Sequence, residues 1–218
     1  LNTGVDQLSA PHARFILRPA GPRAILVEFD DQDAVRDCYA EARRRRADGR
    51  LAATVELVPA ACTLLLDELD DQAAVARDLR TWRPVRAVVD SPREIEIPTV
   101  YDGPDLADVA AHWGVHVAEV PAIHAALVHE VAFIGFAPGF AYLTGLPRAL
   151  RLPRRRSPRT RVPAGSVAAA DLFTGVYPRE SPGGWQLLGH TATAMWDPDR
   201  DPPWLLAPGD RVRFVAAR

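Results

Sequence analysis

The sequence predicts an α+β protein of two units: a four-stranded antiparallel sheet covered on one side by two helices, followed by a barrel of short strands. Three observations carry this reading. A strand–strand–helix pattern occurs twice, with Ile25-Leu26-Val27-Glu28-Phe29-Asp30-Asp31-Gln32 matched forty residues later by Leu65-Leu66-Asp67-Glu68-Leu69-Asp70-Asp71-Gln72. Duplicated units of this kind bury their helices on one face of a shared sheet. Eleven of the twenty prolines lie between Pro138 and Pro208; each fixes φ and removes a backbone donor, which excludes long helices there. The closing segment L-L-A-P-G-D-R-V-R-F-V is a turn running into an alternating strand, as the closing strand of a barrel does. With 218 residues and 48% hydrophobic content the chain can build two cores, and domains are expected at 10–88 and 94–218.

The elements follow in order. A-R-F-I-L-R-P and R-A-I-L-V-E-F are short apolar runs separated by the turn Ala20-Gly21-Pro22, which reads as a hairpin. A helix follows, because Ala34, Val35, Cys38, Tyr39 and Ala42 recur at helical spacing. Asp30 is placed at its N-cap, and Arg43–Arg46 put cations at its carboxyl end, where the helix dipole favours them. That arginine run reads as a solvated helix end. The repeated D-D-Q reads as a capping device in both copies. Trp82-Arg83-Pro84 ends the second helix, and the extended E-I-E-I-P before Thr99 marks the boundary region.

In the second unit Pro104 begins a short helix through D-L-A-D-V-A-A-H-W, which Gly114 ends, and Val117, Val120, Ile123, His124 and Leu127 mark another. His112 and His116 have metal-ligand spacing, but Gly114 interrupts them and no zincin glutamate is present; no metal is expected. His129-Glu130 is only half of H-E-x-x-H. Val131–Phe136 reads as a strand buried on both sides. It leads into G-F-A-P-G-F-A-Y-L, where Phe136, Phe140 and Tyr142 form either a small-molecule wall or a barrel corner packed by its own aromatics.

From Arg148 to Arg161 seven arginines occur without an acidic residue. A phosphate patch is one reading, although four prolines prevent a single helical stripe; an extended Arg159-Thr160-Arg161 would aim two guanidiniums at one carboxylate or phosphoryl group. A-G-S-V lacks the second glycine of a nucleophile elbow, so Ser166 reads as a hydrogen-bonding residue at a strand start. In Y-P-R-E-S-P-G-G-W-Q-L-L-G-H-T, Glu180 and His190 are the acid–base candidates of this half, beside a Gly183-Gly184 turn with backbone donors.

Composition excludes several chemistries. All twenty-six basic residues are arginine, which removes a P-loop, Schiff-base catalysis, a Ser-Ser-Lys amidase and a biotin attachment site on this chain. The net charge of −2 is nearly balanced, and neither nucleic acid nor a membrane is expected as partner. Cys38 and Cys62 are far apart and read as reduced, structural thiols. The amino-terminal L-N-T-G-V-D-Q-L-S has neither a basic nor an apolar targeting region, and no window approaches a membrane span; a cytoplasmic protein is expected.

Taken together, G-F-A-P-G-F-A-Y-L, P-R-T-R-V-P-A-G-S-V, G-V-Y-P-R-E-S-P-G-G-W-Q-L-L-G-H-T and P-G-D-R-V-R-F resemble the B subunit of the bacterial ATP-dependent 5-oxoprolinase. The same family has been labelled allophanate hydrolase subunit 1 and includes a sporulation-kinase inhibitor. A-I-L-V-E-F and Y-D-G-P-D-L extend the resemblance over nearly the whole chain. It implies a ferredoxin-like amino-terminal domain, a cyclophilin-like barrel, a partner C subunit (the allophanate hydrolase subunit 2-like protein) and coupling to an A subunit. It also implies opening of 5-oxo-L-proline to L-glutamate at the expense of ATP, which another subunit can bind. On this basis Glu180, His190 and Gln186 are expected to be catalytic. Arg159, Arg161, Ser166, Phe136, Phe140, Tyr142, Tyr177, Gly183 and Gly184 are expected to bind substrate. Two departures from the family pattern stand out: Ala168-Ala169-Ala170-Asp171-Leu172-Phe173 replaces a glycine-rich stretch ending in glutamine, and His190 replaces an arginine. Carboxyl transfer with an external biotin, and inhibition of a sensor histidine kinase, are the alternatives that relatives of this architecture suggest.

Overall fold

The computed structural model describes residues 15–84 and 92–217. The chain divides into two compact units, Leu1–Val88 and Val89–Arg218. The expected first domain residues 10–14, and residues 85–91 of the expected boundary region, fall outside the described residues.

In the first unit β1 (Phe15–Pro19) and β2 (Ile25–Phe29) form the expected hairpin, α1 spans Gln32–Ala47, β3 (Glu56–Pro59) and β4 (Thr63–Asp67) form a second hairpin, and α2 spans Gln72–Leu79. The sheet order is β1-β2-β4-β3, antiparallel throughout. Alternation along β2 and β4 sends Ile25, Val27, Phe29, Leu64 and Leu66 to one face, where Val35, Cys38, Ala42 and Leu79 of the helices cover them. The repeated D-D-Q caps both helices through its second aspartate: Asp31 accepts from Ala34 N–H at 2.8 Å, and Asp71 from Ala74 N–H at 2.8 Å. Asp30 is thus one residue early as the α1 cap. The arginine run is more than a solvated end, since Arg44 and Arg45 both bond the buried Glu41 and Arg45 lies over the Trp82 ring. Cys38 is buried, and burial pushes its thiol up to about 12; Cys62 is exposed, and neither is bridged.

The second unit is a nearly closed barrel. Its strands are β5 (Glu94–Thr99), β6 (His129–Ile134), β7 (Ala141–Thr144), β8 (Arg159–Val162), β9 (Ser166–Ala170), β10 (Phe173–Val176), β11 (Ser181–Gly183), β12 (Gln186–His190) and β13 (Arg211–Ala216). Seven of them follow the order β12-β9-β10-β7-β6-β13-β5, while β8 and β11 form a separate ribbon. The two edge strands meet where Val100 and His190 exchange backbone bonds at 2.9 Å. This near-closure covers part of the edges that an open sheet would leave exposed. β13 is the expected closing strand; it pairs in parallel with β5 and antiparallel with β6. β6 does not bury both faces: His129, Val131 and Phe133 are inward and the alternate residues only partly covered. Helix α3 (Leu106–Trp113) ends at a left-handed Gly114, and α4 (Val120–Ala125) follows a single 3-10 turn. Val109 and Val120 from these helices pack on Leu188 and Ala169 outside the barrel.

Candidate functional site

The site is built where the β8–β11 ribbon meets the barrel wall. Gly183 pairs with Arg159 and Ser181 with Val162. A side chain at 183 would place its Cβ 2.2 Å from the Tyr177 hydroxyl. Only glycine admits the phenol there. Burial raises the Tyr177 pKa and the neighbouring Tyr142 adds to this, while the charges of Arg154 and Arg159 and a bond from the Trp185 backbone pull the other way. Burial likewise raises Tyr142, against Arg154. Arg154 thus acts electrostatically on both phenols, and Arg159 on Tyr177.

Behind them is the aromatic cluster that G-F-A-P-G-F supplies. Phe140 meets Tyr142, Tyr177 and Trp185 edge-on at centroid distances of 5.1, 5.2 and 5.4 Å. Phe140, Tyr177 and Trp185 are buried, so most of this surface is packed barrel interior. Phe136 differs. It is 57% exposed and holds φ at +67°, a conformation that costs a bulky residue about 1–2 kcal/mol. Its ring touches Phe140 and Tyr177 from outside.

The two arginines of R-T-R have different partners. Arg159 donates to both oxygens of Asp105, at 2.9 and 2.7 Å; Arg155 donates to the same carboxylate at 2.6 Å, and so does the Leu187 N–H at 2.7 Å. Asp105 is 1% exposed. Burial alone would raise its pKa, but the Arg159 bond, the Leu187 amide and the two positive charges outweigh burial and hold it below the ordinary range. Arg161 instead makes a bidentate pair with Glu180 at 3.0 and 2.7 Å, on the exposed side of the ribbon. That pair is accessible to a competing carboxylate.

Gln186 and His190 occupy opposite ends of β12, about 13 Å apart at strand spacing. Alternation along the strand sends Leu187 to the aromatic cluster and Leu188 beneath α3, and the register shifts between Leu187 and Gly189. Gln186 opens on the α3 side, donates from Nε2 to the Pro153 carbonyl at 3.1 Å, and lines a cavity of about 530 Å³ with Asp108, His112 and Arg154–Arg156. His190 bonds Asp102 at 2.9 Å and pairs with Ser166 across the sheet. The structure therefore gathers Phe136, Phe140, Tyr142, Tyr177, Arg159 and Gly183, with Arg161 and Glu180 further along the same ribbon. Gly184 accepts the Arg155 N–H. Glu180 and His190 do not bond one another; each has its own partner. The residues that sequence reasoning passed over are Asp105, Arg154 and Arg155. Asp105 lies in the quoted P-D-L, and both arginines in the counted run, but only long-range contacts reveal them.

A model of the carboxyltransferase domain, subdomain C and D, matches residues 15–206. The B subunit of 5-oxoprolinase from Escherichia coli O157:H7 is 52% identical over 145 residues, 65% of this chain and 66% of that protein. The corresponding B subunit from Haemophilus influenzae is 42% identical over 150 residues, 67% of this chain and 70% of that protein. Among solved structures, TTHA0988 has a TM-score of 0.75 and 39% identity over 90% of this chain, which covers 40% of that longer chain. The chain thus spans just under two thirds of the Escherichia coli relative and two fifths of TTHA0988.

Proposed function

The chain belongs to the family of 5-oxoprolinase B subunits and itself matches carboxyltransferase subdomains C and D, and from that membership we propose that it works as one component of an ATP-dependent 5-oxoprolinase. The reaction is 5-oxo-L-proline, ATP and water to L-glutamate, ADP and phosphate, carried out with the partner C and A subunits. The single observation that carries this reading is the 52% identity to a protein named for that activity.

ATP supplies the driving force. A five-membered lactam without ring strain is a poor electrophile, and transfer of the γ-phosphoryl group of ATP to its oxygen makes the carbon a better one. Water adds there, the ring C–N bond breaks as the nitrogen takes a proton, and hydrolysis of the resulting acyl phosphate gives L-glutamate and phosphate. Within this chain, Arg161 takes the substrate carboxylate in place of Glu180, because an exposed ion pair is worth only about 0–1 kcal/mol and exchanges readily. The displaced Glu180 carboxylate is then available as a proton acceptor. Tyr142 and Tyr177, held neutral, donate hydrogen bonds toward oxygen, with Arg154 and Arg159 stabilising negative charge that develops there. Phe136 covers the ring. His190 with Asp102, and Gln186, act outside this cluster.

The test is co-purification with the C and A subunits, followed by 5-oxoproline-dependent ATP hydrolysis. Arg161→Ala and Glu180→Gln are expected to lower kcat/KM by about a hundredfold, the scale of losing a bidentate clamp, while leaving Tm nearly unchanged. Full activity in both variants would remove these residues from the site. A reconstituted complex without 5-oxoproline-dependent ATPase would remove the reading itself. The domain description favours one second reading, carboxyl transfer with an external biotin; bicarbonate- and biotin-dependent turnover in the same assay would select it.

A further inference from the structure

The structure assigns a second anion site, for a phosphoryl group of pyrophosphate size, to the cleft between α3 and the arginine-rich segment 148–157. This cleft opens on the α3 side of β12 and shares Arg154 with the aromatic cluster, and its assignment does not rest on the lactam reading.

Four observations carry it. The first is charge. Two adjoining cavities of about 590 and 530 Å³ share His112, Leu152, Pro153 and Arg154. Five arginines line them, against Asp108 and Asp171. Arg151 is paired with Asp171 and Arg155 with Asp105, but Arg148, Arg154 and Arg156 make no ion pair among the described residues. Arg154 lines both cavities, with Arg148 on one and Arg156 on the other; guanidiniums so placed without ion pairs repel one another, and an anion between them reverses the sign of that interaction. With no lysine in the chain, each cation is a planar fork suited to phosphoryl oxygens.

The second is rigidity. The segment has no regular strand or helix at Pro153–Ser157, yet it is pinned all along its length. Leu152 exchanges backbone bonds with Asp171, Trp113 Nε1 donates to the Leu150 carbonyl, Gln186 Nε2 donates to Pro153, and the Arg155 N–H donates to Gly184. Pro147, Pro153 and Pro158 further restrict it. A preorganised loop binds without the cost of its own ordering.

The third and fourth are unpartnered polar atoms. Arg155 Nε is a buried donor without a hydrogen-bond partner, and Gln186 Oε1 is a buried acceptor without one. The bond from Gln186 Nε2 to a carbonyl fixes which end of the amide is which. A ligand that satisfies both atoms accepts from Arg155 Nε and donates to Gln186 Oε1. A phosphoryl group, whose second ionisation falls near neutrality, offers both an anionic oxygen and an O–H. A carboxylate at neutral pH offers only acceptors.

Isothermal titration of the full chain with pyrophosphate, with the β,γ-imido analogue of ATP and with AMP tests the assignment. Pyrophosphate and the imido analogue are expected to bind saturably, and AMP at least tenfold more weakly. The double variant Arg148→Ser/Arg156→Ser, at exposed positions and outside the β8–β11 ribbon, is expected to weaken pyrophosphate at least tenfold with its circular dichroism spectrum and Tm retained. Gln186→Leu is expected to weaken it as well. Tighter binding of the imido analogue than of pyrophosphate identifies a nucleotide as the source of the phosphoryl group, and equal binding a free polyphosphate; both support the site. No saturable binding, unchanged affinity in the double variant, AMP binding as tightly as the analogue, or displacement of pyrophosphate by equimolar 5-oxoproline would overturn it.

Discussion

Replacing Asp105 by asparagine would remove a negative charge from between Arg155 and Arg159 while keeping the side chain's size. The carboxylate is almost fully buried and accepts from three partners, so the change leaves two guanidiniums facing each other across a neutral amide. Removing one partner of a buried pair costs about 3–5 kcal/mol, and partial exposure of both arginines lowers this to roughly 2–3 kcal/mol. The depressed pKa carries the matching pH signature. Its stabilisation is complete at neutral pH and is lost only as pH falls below the ordinary aspartate range toward the lowered value. Urea denaturation at pH 7 is expected to show Asp105→Asn with a lower midpoint and an unchanged slope; an unchanged midpoint would mean that the hub is ornamental. Nothing local in the sequence marks this residue. It stands at a helix start, where an aspartate is ordinary, and its partners lie 50, 54 and 82 residues away.

Among the elements, local signals survive and distant ones do not. The duplicated hairpin and helix are legible because turn chemistry, alternation and capping are contained within a few residues, although the choice between Asp30 and Asp31 depends on which residue is the last in extended backbone before the helix. The pairing of β5 with β13 joins residues 94–99 to 211–216, and no periodicity announces it. The register shift in β12 is equally silent, and it is the alternation before it that separates Gln186 from the aromatic wall joined by Leu187. Gly183 shows what a motif glycine can be for. Its sequence context suggests a source of backbone donors, whereas its hydrogen atom is the space that the Tyr177 hydroxyl occupies. Gly183→Ala is therefore expected to destabilise the second unit by about 2 kcal/mol, because the ring is hemmed in by Phe140 and cannot yield freely. Tyr177→Phe removes the clashing oxygen. The double variant should recover at least about 1 kcal/mol of the sum of the single effects, a coupling that denaturation midpoints of the four proteins measure directly. Strict additivity would show that the clash is relieved elsewhere.

At the scale of the whole molecule, the near balance of charge leaves acid sensitivity to groups that folding hides. Two histidines are fully buried inside the barrel unit, with ring centroids 5.1 Å apart and Phe214 against both. His124 is hydrogen-bonded by Tyr101 and Thr174, at 2.8 and 3.2 Å. His129 lies against the backbone of Thr144 and His124 without a well-formed bond at either ring nitrogen. Burial pushes His129 down to about 4, and burial together with His129 pushes His124 well below the usual imidazole range. Both rings are neutral in the fold, whereas the unfolded chain protonates them near pH 6.5. The unfolded state thus binds more protons, and stability is complete above pH 6.5 and falls as the pH drops toward 4. For His129 alone the loss over that window is about 3 kcal/mol. Asp105 begins to contribute only at lower pH, so the barrel should weaken in two stages, imidazoles first. His129→Leu isolates the first stage. An apolar side chain of similar volume replaces a ring that makes no good hydrogen bond, so stability at pH 7.5 should change by less than about 1.5 kcal/mol. The fall in urea midpoint between pH 6.5 and 4 should shrink by about half, with His124 supplying the remainder. An acid slope identical to that of the unmodified chain would show that the loss of stability comes from carboxylates on the surface, and the buried pair would then be inert ballast in the core.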